Sequence, residues 1–532
     1  MPVFNLFKRF NSNYMKKIIY FLSIFFLIIF YSCESLIDEK VYTNLSSTNL
    51  FTSESGCEAA LTGVYASFFD SWYYGNVYPE LICNLTGLYT EKVKTVDYNT
   101  FAINSATPYI SQVWQRSWQI IGRANDVLYN VSRANINIDT KNRILGEAYF
   151  IRAKTYFDNV RLWGALPLRL EPASQENINV PRSPSDTIYA HIIADLDSAK
   201  RLLPEPGNNI LGRPHRYAAY ALAEKVYLTL AGNNPSSPYW QKSLDEGLVV
   251  YNSNAYRLVR PYKDLWDVNK QNSTESIFEI QGSALLTAGG SLTKTFLPLG
   301  STLTPLANTW GRAQVNKEVY NQHVTQYKGD PRIDATFLDS SYVNNKTLKK
   351  INIYPVQKTG VNSYVYIMKY VDPAYVGSSN CNFIYLRYAD VLLMLAEAEN
   401  EINGPAGAYR YVNQVLARAR DKNGNGNTDA GEVVPADWSG MTKDQFRDRI
   451  MAERGYELIG ELHEYFDVRR RGKDYFKKIL EAHNTYGPNL ANKEYIAPTD
   501  DVTMERIMLL PIPQSEIGTN TAITIENQNP GY

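Results

Sequence analysis

The chain has 532 residues and carries 54 Lys and Arg against 54 Asp and Glu, so its formal net charge is zero. That balance, with no basic tract, argues against nucleic acid as a partner and leaves no long-range field to steer polyanions. Four cysteines and five histidines are scattered along the chain. Their spacing excludes a disulfide framework, a zinc site and a metalloprotease pair.

From the N-terminus, Lys16 and Lys17 precede an apolar run from Ile18 to Tyr31, the pattern of a charged n-region and an h-region. The run falls short of the roughly 20 residues a membrane-crossing helix needs. Tyr31-Ser32-Cys33 then sets a small residue and a cysteine at the cleavage position, which resembles a bacterial lipoprotein box, and the thiol of Cys33 would carry the lipid. An ordinary secretory signal with an incidental cysteine is the other reading. On the lipoprotein reading residues 1–14 precede the true start at Met15, 15–32 are a signal peptide, and 33–55 form a polar, lipidated tether. Cys57, Cys83 and Cys381 then remain, and whether any two of them pair stays open.

Helical spacing of apolar residues begins at Cys57 to Phe69, where Ala59, Ala60, Leu61, Val64 and Phe68 share one side. A second helix is predicted over Ile110 to Val131. Gly146 to Trp163, Arg216 to Ala231 and Tyr388 to Ile402 interleave Ala with Tyr, Leu and Phe, so that small residues let helices approach and large ones fill the grooves, as in tetratricopeptide-type stacks. The tracts Phe69 to Pro108, Gly282 to Gly311 and Gly329 to Ser379 read as long loops and short strands. Long loops on a rigid scaffold are where binding usually resides.

Five blocks, in order, resemble the SusD/RagB outer-membrane nutrient-binding lipoproteins of Bacteroidetes. They are Gly146-Glu147-Ala148 through Trp163-Gly164, Arg182-Ser183-Pro184 through Leu203-Pro204, Arg387-Tyr388-Ala389-Asp390 through Arg418-Ala419-Arg420, Glu453-Arg454 through Gly472, and Leu510-Pro511 through Tyr532. The resemblance implies a mainly α fold, a tetratricopeptide-like helical repeat scaffold with long loop insertions and a few short strands, spanning 56–532 as one domain. It also implies a non-catalytic surface lipoprotein that binds oligosaccharide, polysaccharide or another oligomeric nutrient and delivers it to a SusC-like TonB-dependent transporter. A helical-repeat outer-membrane assembly protein that binds only other proteins is the alternative.

Among the motif residues, Arg152, Glu453, Glu457, Asp467 and Arg469 read as inter-helix ion pairs. Glu453 and Glu457 share a helix face, but the carboxylates of a glycosidase flank substrate across a cleft rather than sharing one turn. For ligand contact, aromatic rings suit the apolar face of a sugar and planar polar groups suit its hydroxyls. Two loops offer both: Trp72, Tyr73, Tyr74 and Asn76 in the first, and Asn308, Trp310 and Arg312 in the second.

Asp421 to Glu432 fits an EF-hand calcium loop. Asp421, Asn423, Asn425 and Asp429 stand at positions one, three, five and nine, the carbonyl of Asn427 serves seven, and Glu432 stands at twelve. Pro435 opposes an immediate second helix, so this would be a half EF-hand in which Ca2+ braces a loop.

Overall fold

In the computed structural model, the described residues are 50–91, 98–285, 291–306, 308–353, 364–427, 429–486 and 496–532. Cys33 and most of the expected tether lie outside them. Phe51–Tyr532 forms one compact unit.

The helices begin where local chemistry allows. After α1 (Glu54–Ala66) and α2 (Val77–Asn84), α3 (Pro108–Arg133) opens on a proline, whose missing N–H costs nothing in a first turn. In α4 (Ile138–Trp163) the Asn137 side chain accepts from the backbone N–H groups of Asp139 and Thr140. Further pairs follow with α5 (Ser185–Leu202), α6 (Arg216–Ala231) and α7 (Tyr239–Asn252). After the short α8 (Leu292–Phe296), α9 (Lys317–Gln326) and α10 (Pro331–Thr336), the scaffold resumes with α11 (Tyr388–Asn403) and α12 (Pro405–Arg420). It ends with α13 (Lys443–Leu458), started by a Thr442–Gln445 capping box, then α14 (His463–Arg470) and α15 (Lys473–Tyr486).

Each of the helices α3 to α7 packs on its neighbour in sequence, and α7 then packs on α11, which carries α12 and α13. The fold is thus mainly α, with the helices stacked pairwise. The small residues do the work expected of them: Ala218, Ala219 and Ala221 of α6 and Ala389, Ala396 and Ala398 of α11 are all fully buried. At Gly247 in α7 a Cβ would stand 2.4 Å from Glu224 Oε1 and 2.8 Å from Leu395, so a larger residue would have to displace both side chains where α7 approaches α6 and α11.

The tracts read as long loops and short strands each hold a helix: α8 lies in Gly282 to Gly311, α10 in Gly329 to Ser379, and Phe69 to Pro108 contains α2, every residue of which is buried. A helix buried all round has no apolar stripe, so periodicity gives no sign of it.

Short strands occupy the insertions. Strands β1 (Tyr89–Thr90), β3 (Gln314–Asn316), β5 (Tyr364–Ile367) and β4 (Phe337–Leu338) lie in that order in an antiparallel sheet, and β2 (Ser276–Ile280) pairs antiparallel with β6 (Phe383–Arg387).

Where β6, α10, α12 and α13 converge, charges are buried together. Arg387 donates to Glu461 and Glu457 at 2.7 Å and to Glu275 at 2.8 Å. Arg418 bridges Glu275 at 2.6 Å and also bonds Glu457, while Arg332 reaches Glu453 at 2.7 Å and Glu457 at 3.0 Å. All of these side chains have zero solvent exposure. Each carboxylate is therefore compensated in place, and breaking one partnership strands a buried charge. Glu453 and Glu457 do share a face, but what they share is the Arg332 guanidinium. The other expected pairs divide: Arg152 bonds Asp195 at 2.7 Å and Asp467 bonds Arg454 at 2.9 Å. Arg469 forms no ion pair among the described residues. Its guanidinium donates instead to the backbone carbonyls of Tyr465, Leu85 and Ile507.

The remaining polar candidates are packing groups too. His215 Nε2 lies 2.7 Å from the Tyr256 hydroxyl, and His463 Nδ1 lies 2.8 Å from Lys225 Nζ. The thiols of Cys57, Cys83 and Cys381 are free and buried.

Candidate functional site

The two loops predicted to hold ligand are tied to each other. Leaving α1, the chain turns through Asp70, whose carboxylate accepts from the Trp72 N–H at 2.8 Å and faces Arg116 of α3 at 3.3 Å. This holds Trp72 at the surface with 42% of its area exposed. Asn76, half-buried at the entry to α2, accepts a hydrogen bond from the Thr295 hydroxyl of α8. On the far side of the second loop, the Trp310 N–H donates to the Lys294 carbonyl at 2.7 Å and the Arg312 N–H to that of Thr295 at 2.8 Å. The second loop is thereby laid along α8, and α8 is bound to the first.

Trp310 is half-buried and meets two cations. Lys294 Nζ lies 3.6 Å from the ring centroid and the Arg312 guanidinium carbon 4.5 Å from it. Arg312 is fixed in turn by Glu80 at 3.0 Å and the Tyr109 hydroxyl at 3.1 Å. Burial, and then the neighbouring Arg312, push the Lys294 ammonium below its ordinary pKa. Among the described residues Lys294 has no carboxylate partner. The result is a half-buried indole with two cations over its ring, a cluster able to offer N–H donors to a polyhydroxylated ligand. Asn308 is exposed beside it, on a loop that also exposes Leu299, Leu303 and Leu306.

Tyr73 and Tyr74 do not belong to this surface. Both are buried, with ring centroids 4.9 Å apart, and the Tyr74 hydroxyl donates to Asp158 at 2.8 Å. Lys154 sits 4.0 Å from the Tyr74 ring and 2.8 Å from Asp158. These tyrosines wrap a buried ion pair and present no face to a ligand. Sequence reasoning missed Lys294: sixteen residues separate it from Trp310, and only the backbone pairing along α8 brings the two together.

The expected calcium residues Asp421, Asn423, Asn425, Asn427, Asp429 and Glu432 lie on one loop after α12. Among the described residues no three His, Cys, Asp or Glu side chains stand close enough to hold a metal between them. The loop's other oxygens are amides and carbonyls.

A family model described as the SusD family matches residues 239–532. The chain belongs to the SusD family. A second model, described as "Starch-binding associating with outer membrane", matches residues 37–228 of this SusD-family chain. SusD-like protein P2 of Formosa agariphila is 27% identical over 530 residues, covering 94% of this chain and 97% of its own. A SusD homolog from Bacteroides thetaiotaomicron superposes with a TM-score of 0.77 at 22% identity, covering 93% of this chain and all of that one. Surface glycan-binding protein A from the same species, solved in complex with laminarihexaose, gives a TM-score of 0.66 at 20% identity, with 90% of this chain and all of that one covered. At these identities the two structures speak to the fold alone.

Proposed function

We propose that this SusD-family chain is a non-catalytic, surface-facing lipoprotein that captures a glycan and passes it to a SusC-like TonB-dependent transporter. The observation that carries the reading is the cluster of Trp310 with Lys294 and Arg312 over its ring, joined through Asn76 and Thr295 to the loop that presents Trp72. Fold similarity to a protein crystallised with laminarihexaose supports it, as does the match to a starch-binding, outer-membrane family model. The lipid anchor rests on the Ser32-Cys33 pattern. It would keep the binding surface beside the transporter. Exposed Leu299, Leu303 and Leu306 along the same loop suit a protein contact, so part of this face would meet the partner.

The non-catalytic part of the reading is supported by Glu453 and Glu457, the motif carboxylates that share a helix face, which are buried and bound to arginines. Titration calorimetry against a panel of polysaccharides tests the binding, and incubation with the same polymers, followed by assay of new reducing ends, tests the non-catalytic part. Binding that survives in both Trp72→Ala and Trp310→Ala would move the site elsewhere. No binding to any polymer would favour the alternative, an assembly protein that binds only proteins. New reducing ends would remove the non-catalytic part.

A further inference from the structure

Each of the buried lysines Lys154, Lys225 and Lys369 faces a carboxylate: Asp158 at 2.8 Å, Asp390 at 2.8 Å and Glu461 at 2.7 Å. Lys294 departs from that pattern. It is half-buried, and its ammonium lies over the Trp310 ring with neither a carboxylate nor a hydrogen-bond acceptor among the described residues. Taking a charge out of water without a counter-charge is costly. The neighbour over the same ring, Arg312, is a second cation and adds repulsion. Glu80 does not relieve the pair. It is fully buried and bound to Arg312 at 3.0 Å, so its charge offsets the guanidinium and leaves Lys294 uncompensated.

The uncompensated charge rises from a fixed backbone. The Lys294 N–H donates to the Ser291 hydroxyl at 3.1 Å, and its carbonyl accepts from the Trp310 N–H at 2.7 Å. Further donors are unspent in the same cluster. Arg312 uses only Nη1 on Glu80 and the Tyr109 hydroxyl, and Arg312 Nη2, Trp310 Nε1 and the amide of exposed Asn308 have no partner among the described residues.

We propose that the Trp310 cluster selects glycans bearing anionic groups, carboxylate or sulfate ester, and that Lys294 is the residue that reads the charge. This rests on the glycan reading above and narrows its substrate class. An anion bonded to Lys294 supplies the missing counter-charge, and a charge-assisted hydrogen bond is roughly twice as strong as a neutral one. A neutral hydroxyl leaves the two cations in mutual repulsion. Because the chain carries no net charge, it has no long-range field to gather polyanions. The selection therefore acts at contact, on the lifetime of the complex more than on encounter. A partly buried contact is also screened less than an exposed one, so the preference persists at physiological salt.

The test is titration calorimetry of the full chain in about 0.15 M NaCl. Starch and xylan are the neutral polymers, alginate and polygalacturonate carry carboxylate, and carrageenan carries sulfate ester. Any acidic polymer that binds is titrated again after carboxyl reduction or desulfation, which also tells the two anions apart. The expected result is that an acidic polymer binds and that removing its charge raises Kd about tenfold. Lys294→Gln should raise Kd for the charged form by a similar factor and leave that for the neutralised form unchanged, while Lys294→Arg retains the preference. Charge removal tests the inference on the wild type alone should Lys294→Gln fail to fold. Equal affinity for charged and neutralised forms, or undiminished binding of the charged form by folded Lys294→Gln, would overturn it. Binding of neutral polymers only would also overturn it and leave the glycan reading standing, whereas no binding to any polymer would sink both.

Discussion

Two regions of this molecule gather arginines against carboxylates or rings, and they do opposite things. Around Glu457, three arginines and their carboxylates are sealed from solvent and satisfy one another. Around Trp310, Arg312 and Lys294 lie over a half-buried ring, and Lys294 has no carboxylate partner among the described residues. The residue types overlap, so composition does not separate structural from binding charge. Exposure and unspent hydrogen-bonding capacity do.

The contrast can be broken most forcefully at the buried cluster. Arg387→Ala leaves Glu457, Glu461 and Glu275 short of a partner, and an equilibrium denaturation curve should register a loss of about 3–5 kcal/mol. Acid should act next. Burial pushes the imidazoles of His463 and His215 down to about 3 and about 4. Although burial alone would raise it, Arg454 and Arg470 hold the Asp467 carboxyl down to about 2. All three folded values are depressed, so their stabilisation is complete above the unfolded values and is lost as pH falls through the folded ones. Melting temperature should therefore decline from about pH 6.5, as the unfolded histidines take up protons, and decline further below about pH 4, where Asp467 adds a loss of about 2 kcal/mol. Glu224 works in the other direction. Burial raises its carboxyl well above the ordinary range, so its contribution is present in acid and lost as pH rises. Glu224→Gln should therefore steepen the acid decline.

At the aromatic face the expected effects fall on affinity. Trp310→Ala should cost about 2 kcal/mol, roughly a 30-fold rise in Kd, as truncation of a buried indole anchor does. Trp72, more exposed and fixed only through its backbone, should cost about 1 kcal/mol in binding, with stability within about 0.5 kcal/mol of wild type. Calorimetry on both variants would rank the two rings.

Much of the scaffold was legible because helix pairs announce themselves by periodicity. Arg216 to Ala231 was predicted with its observed bounds, and Tyr388 to Ile402 stops one residue short of the helix. What escaped was set by tertiary burial. No stripe marks α2, which is enclosed on every side, and the adjacency of Tyr73 and Tyr74 to an exposed tryptophan concealed that both turn inward toward Asp158. Within the site, Trp72, Asn76, Trp310 and Arg312 were identifiable by residue type and loop context, but Lys294 and the Asn76–Thr295 tie arise from long-range pairing. The partners of Glu453 and Glu457 were equally hidden: Arg332 lies more than a hundred residues upstream, and nothing in its local sequence marks it as buried.

The most direct test measures both properties on the same two proteins. With a glycan bound by the wild type, Kd and melting temperature are determined for Trp310→Ala and for Arg387→Ala. The account predicts that Trp310→Ala loses affinity and keeps its melting temperature, while Arg387→Ala loses stability and keeps its affinity per folded molecule. Full affinity in Trp310→Ala, or a wild-type chain that binds no glycan at all, would contradict it.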